Sequence, residues 1–286
     1  MGGSFRGVFQ MGPIGCLKPG PETFKYYRYI NLNVPVPMTV KFTVLKGHLE
    51  EKEAYKLDES LILDSAVHER IYLAEGTKRI VVREGRIRGT LFIPAGDGPF
   101  PGVVDIFGGS GSLFEFRAAQ FAARGIAALA LAFYDYDDIP VDIPELDIDY
   151  FHEAVKYLLK HEKVKKPNVA VIGLSKGCDL AFSLATFIPE VKAAICINGL
   201  SVNLLKPMRV KDKIILAFQT DISKIKIVKY EGGGHLLESP YAPFAGASFH
   251  RVVKKTIIWG GNAYQHIQAS EDAWKRSMEF IRKHIT

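Results

Sequence analysis

The chain has 286 residues, 48% hydrophobic and 24% charged, a balance that fits a globular protein with a sizeable core and excludes a disordered or fibrous one. Its formal charge of +6 is spread over small groups such as Lys163-Val164-Lys165-Lys166 and Lys254-Lys255; with no long basic run or interleaved aromatic platform, nucleic acid is not an expected partner. No apolar run approaches the length of a membrane span, and Cys16, Cys178 and Cys196, an odd number in unrelated settings, read as reduced thiols.

The start, Met1-Gly2-Gly3-Ser4-Phe5-Arg6, has no apolar signal core, and Arg6 stands where a myristoylation motif wants Ser or Thr. The ending His284-Ile285-Thr286 is not a peroxisomal tripeptide, so a cytoplasmic location is expected. Up to about Gly98 the pattern is β-like, with alternation over Thr39–Leu45, Glu69–Leu73 and Ile80–Val82 and a further strand over Arg86–Pro94. Pro19, Pro21, Pro35 and Pro37 punctuate it. From Pro101 strands and helices alternate. A strand over Gly102–Phe107 precedes a helix over Phe116–Arg124, then come a strand over Ile126–Phe133, a helix over Asp147–His161 and a strand over Val191–Ile197. That order predicts an α/β fold with a parallel sheet. Residues 1–98 are expected to form part of a small antiparallel β domain and 99–286 an α/β domain, closed by a helix over Ser270–His284 with Ser270 at its N-cap.

Between two of these elements lies Val169-Ala170-Val171-Ile172-Gly173-Leu174-Ser175-Lys176-Gly177, an apolar run entering Gly-x-Ser-x-Gly and leaving through Leu180, Ala181 and Leu184 at helical spacing. In strand–turn–helix context the pentapeptide reads as a nucleophile elbow, with Ser175 on a sharp turn and the backbone N–H of Lys176 at a helix N-terminus for an oxyanion. The competing reading is a Gly-Ser turn without chemistry. Gly108-Gly109-Ser110-Gly111 follows an early strand, where a hydrolase draws its second oxyanion donor, so Gly108 and Gly109 join Lys176 as oxyanion-hole candidates. A dinucleotide site fails on spacing, because position 114 is Phe.

A serine nucleophile needs a base. His235, in Glu231-Gly232-Gly233-Gly234-His235, follows the apolar run Lys226–Tyr230, where a hydrolase's last strand delivers its imidazole, and is C-terminal to the serine, the order this fold uses. His250 and His266 read as packing or surface groups. The orienting acid is the difficulty. Asp221 follows the run Ile214–Phe218, but Ile225 already starts the next apolar run, which leaves room for a hairpin and not for a crossover. Asp221 is therefore a weak candidate. The reading calls for no metal and no cofactor.

These residues resemble the acyl-CoA thioesterases related to bile acid-CoA:amino acid N-acyltransferase. The resemblance runs through Gly98–Gly102, Phe114–Ala118, Ala130–Tyr136, Tyr150–Val155, the elbow, Ile197-Asn198-Gly199 and Gly234-His235, and is most specific in Trp259-Gly260-Gly261 with His266 and Glu271-Asp272-Ala273-Trp274. It implies an N-terminal β-sandwich, a C-terminal α/β-hydrolase domain and cleavage of acyl-CoA to free acid and CoA, with acyl-CoA as the binding partner. Serine at the elbow, where conjugating acyltransferases carry cysteine, favours water as final acceptor. Against the family pattern the chain starts partway into the sandwich and lacks the acid-bearing segment near Tyr230–Gly232, so Ser175 and His235 stand only 60 positions apart. A catalytically impaired acyl-CoA- or partner-binding member, or a carboxylesterase or dienelactone-hydrolase-like enzyme, are the alternatives.

Overall fold

The computed structural model describes residues 12–20, 22–23, 25–141, 145–200, 202–203, 207–215, 218–219, 223 and 225–285. Its centre is a six-stranded sheet in the spatial order Lys78–Val82, Gly89–Ile93, Ala127–Leu131, Phe100–Ile106, Val164–Leu174, Val191–Ile197. The first two strands run antiparallel to their neighbours and the remaining pairings are parallel. Near-continuous apolar runs such as Val103-Val104 and Val169–Ile172 are what strands need when both faces are covered. Successive residues still face opposite ways: Val169 and Val171 pack into one cluster, Ala170, Ile172 and Leu174 into the other.

Helices Ile148–Lys160 and Lys176–Phe187 cover the first face through Phe151, Val155, Leu158, Leu180 and Leu184. Helices Phe116–Ala122 and Ala263–His284 cover the other through Phe116, Phe121, Trp274, Met278 and Ile281. This is an α/β-hydrolase-like layering, preceded by an antiparallel β part. That part is a two-stranded ribbon, Met38–Leu45 against Ile62–Arg70, with Val44, Leu63 and Val67 exposed.

Three expectations need correction. The strands at 78–82 and 89–93, inside the segment assigned to the N-terminal part, hydrogen-bond into the hydrolase sheet, so the sheet starts at Lys78; alternation shows a strand but not its partner. The closing helix starts at Ala263, capped by the Asn262 side chain, which accepts from the Tyr264 N–H. Ser270 lies inside the helix and donates its hydroxyl back to the His266 carbonyl, 2.9 Å. The expected run at 226–230 forms no strand: its residues have no ladder partner among the described residues, and Ile227 and Val228 stay exposed.

Beneath the end of strand Phe100–Ile106 lies a fully buried ion pair. Arg117 Nε donates to Asp105 Oδ1 at 2.8 Å and Nη2 to the Ile106 carbonyl at 3.2 Å, while Asp105 Oδ2 and Arg117 Nη1 find no partner among the described residues. Burial pushes the Asp105 carboxyl up, with the Arg117 charge opposing. Arg117→Met is expected to destabilise the fold by about 3–5 kcal/mol, because a lone buried carboxylate is left behind. The double variant Asp105→Leu/Arg117→Met should recover most of that loss, as read from urea unfolding midpoints.

Candidate active site

Strand Val164–Leu174, helix Lys176–Phe187 and the end of strand Phe100–Ile106 converge at Ser175. A methyl at 173 would collide with the backbone of Gly177, and one at 177 with the Ile106 carbonyl, so only glycine lets the three backbones meet. Between them Ser175 adopts φ 55° and ψ −117°, a positive φ that stores about 1–3 kcal/mol in a side-chain-bearing residue. The turn is pinned on both sides: the Ser175 N–H donates to the Ile197 carbonyl at 2.9 Å, and the Cys178 N–H to the Ser175 carbonyl at 3.0 Å.

Gly108 lies against the elbow, where a Cβ would stand 3.1 Å from Ser175 Cβ and 3.1 Å from the Leu174 carbonyl oxygen. A second contact ties the loop down: the Gly111 N–H donates to the Tyr134 hydroxyl at 2.7 Å. Lys176 is the first residue of the helix, at the positive end of its dipole, and its ammonium is tied to Asp179.

His235 approaches on a loop held through its backbone. The Asn262 N–H donates to the Gly232 carbonyl at 2.8 Å and the His235 N–H to the Trp259 carbonyl at 2.9 Å. Asn198 Nδ2 donates to the carbonyls of Gly234, 3.2 Å, and His235, 2.8 Å. The imidazole stacks on the Trp259 indole, centroids 5.4 Å apart and planes 16° from parallel. Burial lowers its pKa from the ordinary imidazole value.

A cavity of about 230 Å³ is lined by Gly108, Gly109, Ser175 and His235, with Phe107, Phe249 and Ile257 as apolar lining. Ser175 and His235 share that cavity without a hydrogen bond between them among the described residues. No carboxylate hydrogen-bonds the His235 ring among the described residues, and Asp221 lies outside them. A larger cavity of about 290 Å³ near Arg88, Phe133 and Tyr150 touches neither Ser175 nor His235; its arginines are committed, Arg86 to Asp147 and Glu153, Arg88 to Asp138.

Three residues at the site escaped the sequence reading. His250 lines the cavity, and Arg28, paired with Glu238, reaches it from the N-terminal part. His266, 6% exposed, lies beneath the base loop. The partners of Arg28 and His266 are 210 and 32 positions away, so no local pattern marks either residue.

With this geometry in view, comparison with known proteins gives two family matches. The profile described as BAAT / acyl-CoA thioester hydrolase C terminal matches residues 146–227 and 219–286, and that of the acyl-CoA thioester hydrolase/BAAT N-terminal region matches residues 1–84. Among similar curated proteins, peroxisomal succinyl-coenzyme A thioesterase of Mus musculus is 33% identical over all of this chain and 82% of its own length. Acyl-coenzyme A thioesterase 1 of Homo sapiens is also 33% identical, over all of this chain and 82% of its own length. Mitochondrial acyl-coenzyme A thioesterase 2 of Homo sapiens is 33% identical over all of this chain and 71% of its own length. The first alignment extends over 353 positions, 67 more than the 286 residues of this chain, so the relative carries interior residues that this chain lacks.

Two stability outcomes follow from the elbow. Gly173→Ala should cost about 3 kcal/mol or more, since the obstacle is backbone that cannot rotate away. Ser175→Gly should be more stable than Ser175→Ala by about 1 kcal/mol, because glycine relieves the positive φ. Urea unfolding of the three variants checks both.

Proposed function

The chain belongs to the acyl-CoA thioester hydrolase and bile acid-CoA:amino acid N-acyltransferase family, and on that premise we propose that it hydrolyses acyl-CoA thioesters with Ser175 as nucleophile and His235 as base. The observation that carries this reading is the shared cavity: a serine on a strained elbow, an imidazole and a glycine loop all line it. Ser175 Oγ attacks the thioester carbonyl while His235 takes its proton. The N–H groups of Lys176 and of the Gly108-Gly109 loop receive the oxyanion. Collapse expels CoA, which recovers the proton from His235, and the acyl-serine is released by water that His235 activates. Because burial favours neutral His235, the imidazole is base-competent at neutral pH. Activity should rise with pH through a value below about 6.5.

One observation favours a second reading, a family member that binds acyl-CoA with little turnover: no carboxylate orients His235 among the described residues. Loss of the acid from a serine triad costs about 10⁴ in rate. Purified chain with a series of acyl-CoA lengths and a thiol reagent separates the readings. The proposal expects CoA release and fluorophosphonate labelling in the wild type, and neither in Ser175→Ala. Acyl-CoA that raises the melting temperature without releasing CoA supports binding alone. Turnover of simple esters but not thioesters supports an esterase, and equal labelling of Ser175→Ala removes Ser175 as nucleophile.

A further inference from the structure

We infer that His266 is a proton-sensitive positioning residue, a neutral imidazole clamp that holds the loop of His235 and lets go when it is protonated. The inference rests on reading His235 as the base and adds a second histidine whose charge state controls the site from beneath. The Gly234 N–H donates to His266 Nδ1 at 2.9 Å in a buried contact. An imidazole nitrogen accepts only when it carries no proton, so the ring is neutral with its hydrogen on Nε2. The Leu236 backbone on the other side of His235 favours the protonated form of the ring. One side chain therefore holds the residue immediately before His235.

The clamp is built on a rigid base. His266 sits in the first turns of helix Ala263–His284, its N–H donating to the Asn262 carbonyl at 2.8 Å. The ring of Phe244 packs edge-on against it, centroids 5.1 Å apart. Only glycine fits at 234, since a Cβ there would stand 2.4 Å from the Gly260 carbonyl oxygen and 3.2 Å from His266 Nδ1. In a triad the carboxylate fixes the imidazole directly. Among the described residues orientation of His235 falls to its backbone and to Trp259, which makes the hold on Gly234 matter more.

Protonation turns Nδ1 from acceptor to donor, so two N–H groups would face each other in a buried space, at a cost that opens the contact. The charges around the ring oppose one another. Glu238 favours the protonated form from the loop side, and Arg28, ion-paired with Glu238, blunts that pull. The Phe244 face is apolar, and the positive end of the helix dipole disfavours a cation. Burial is the largest influence and lowers the pKa of His266. The clamp is closed at neutral pH and opens as pH falls through a value below about 6.5. His235 is itself shifted down by burial, so the acid side of the activity profile should record two protonations.

The test compares full-length wild type with His266→Asn and His266→Gln. Asparagine keeps a short acceptor at the place of Nδ1 and does not titrate; glutamine carries its amide past that place and leaves Gly234 unpaired. Hydrogen exchange of a peptide spanning 232–236, corrected for intrinsic rate, should lose protection about tenfold or more on acidification in the wild type. His266→Asn should hold its protection across the same range, and His266→Gln should be unprotected throughout. The plot of log kcat/KM against pH should fall with a limiting slope of two in the wild type and one in His266→Asn, which a merely structural role would not produce. Pair-wise comparison of wild type and His266→Asn suffices if His266→Gln fails to fold. Wild-type protection indifferent to pH, or His266→Asn losing protection as the wild type does, overturns the clamp. Exchange reads the loop without using activity, so a His235→Ala variant that keeps full turnover beside the expected exchange pattern would sink the base and leave the clamp standing.

Discussion

The site depends on one steric constraint, the approach of three backbones at Gly173, Gly177 and Ile106, where no Cβ fits at either glycine. Strand Val164–Leu174 cannot reach helix Lys176–Phe187 at that distance by an ordinary turn. The residue between them takes a positive φ, and the strain sits in Ser175. The same approach presses Gly108 against Ser175 and starts a helix one residue later, so that nucleophile, glycine loop and helix N-terminus gather at one point. Each is a consequence of close packing, and the core on both faces of the sheet maintains it.

His235 is held by different means. A serine hydrolase usually fixes its imidazole with a carboxylate on the far nitrogen. Here the described residues offer backbone contacts from Trp259, Asn198 and Asn262, an indole against the ring, and His266 beneath the loop. Stacking sets the plane of the imidazole but leaves its tautomer to its surroundings. The run at 226–230 forms no strand, and Ile227 and Val228 stay exposed just before the loop that carries His235.

The elbow was legible in the sequence because all its determinants are contiguous: an apolar run, two glycines, a serine and a helical spacing within about a dozen residues. The alternation of strands and helices that makes the sheet was legible for the same reason. What escaped reading depends on partners distant in the chain. The strands at 78–82 and 89–93 alternate equally well in either sheet, and pairing decides between them. The closing helix begins at Ala263 because the Asn262 side chain caps it, while Ser270, an equally good capping residue by type, bonds back to His266. His266 carries no local sign of its role, since the amide that it accepts from belongs to a loop on the opposite side of a hairpin.

The central claim is that the hydroxyl at 175 and the imidazole at 235 act together on an acyl thioester. Intact-mass spectrometry after rapid mixing with acyl-CoA and acid quench tests it most directly. The account predicts a mass increase of one acyl group, mapped to Ser175, forming about 10³-fold or more slowly in His235→Ala. Release of CoA without an adduct and undiminished in Ser175→Ala, or an adduct that forms as fast without His235, would contradict it.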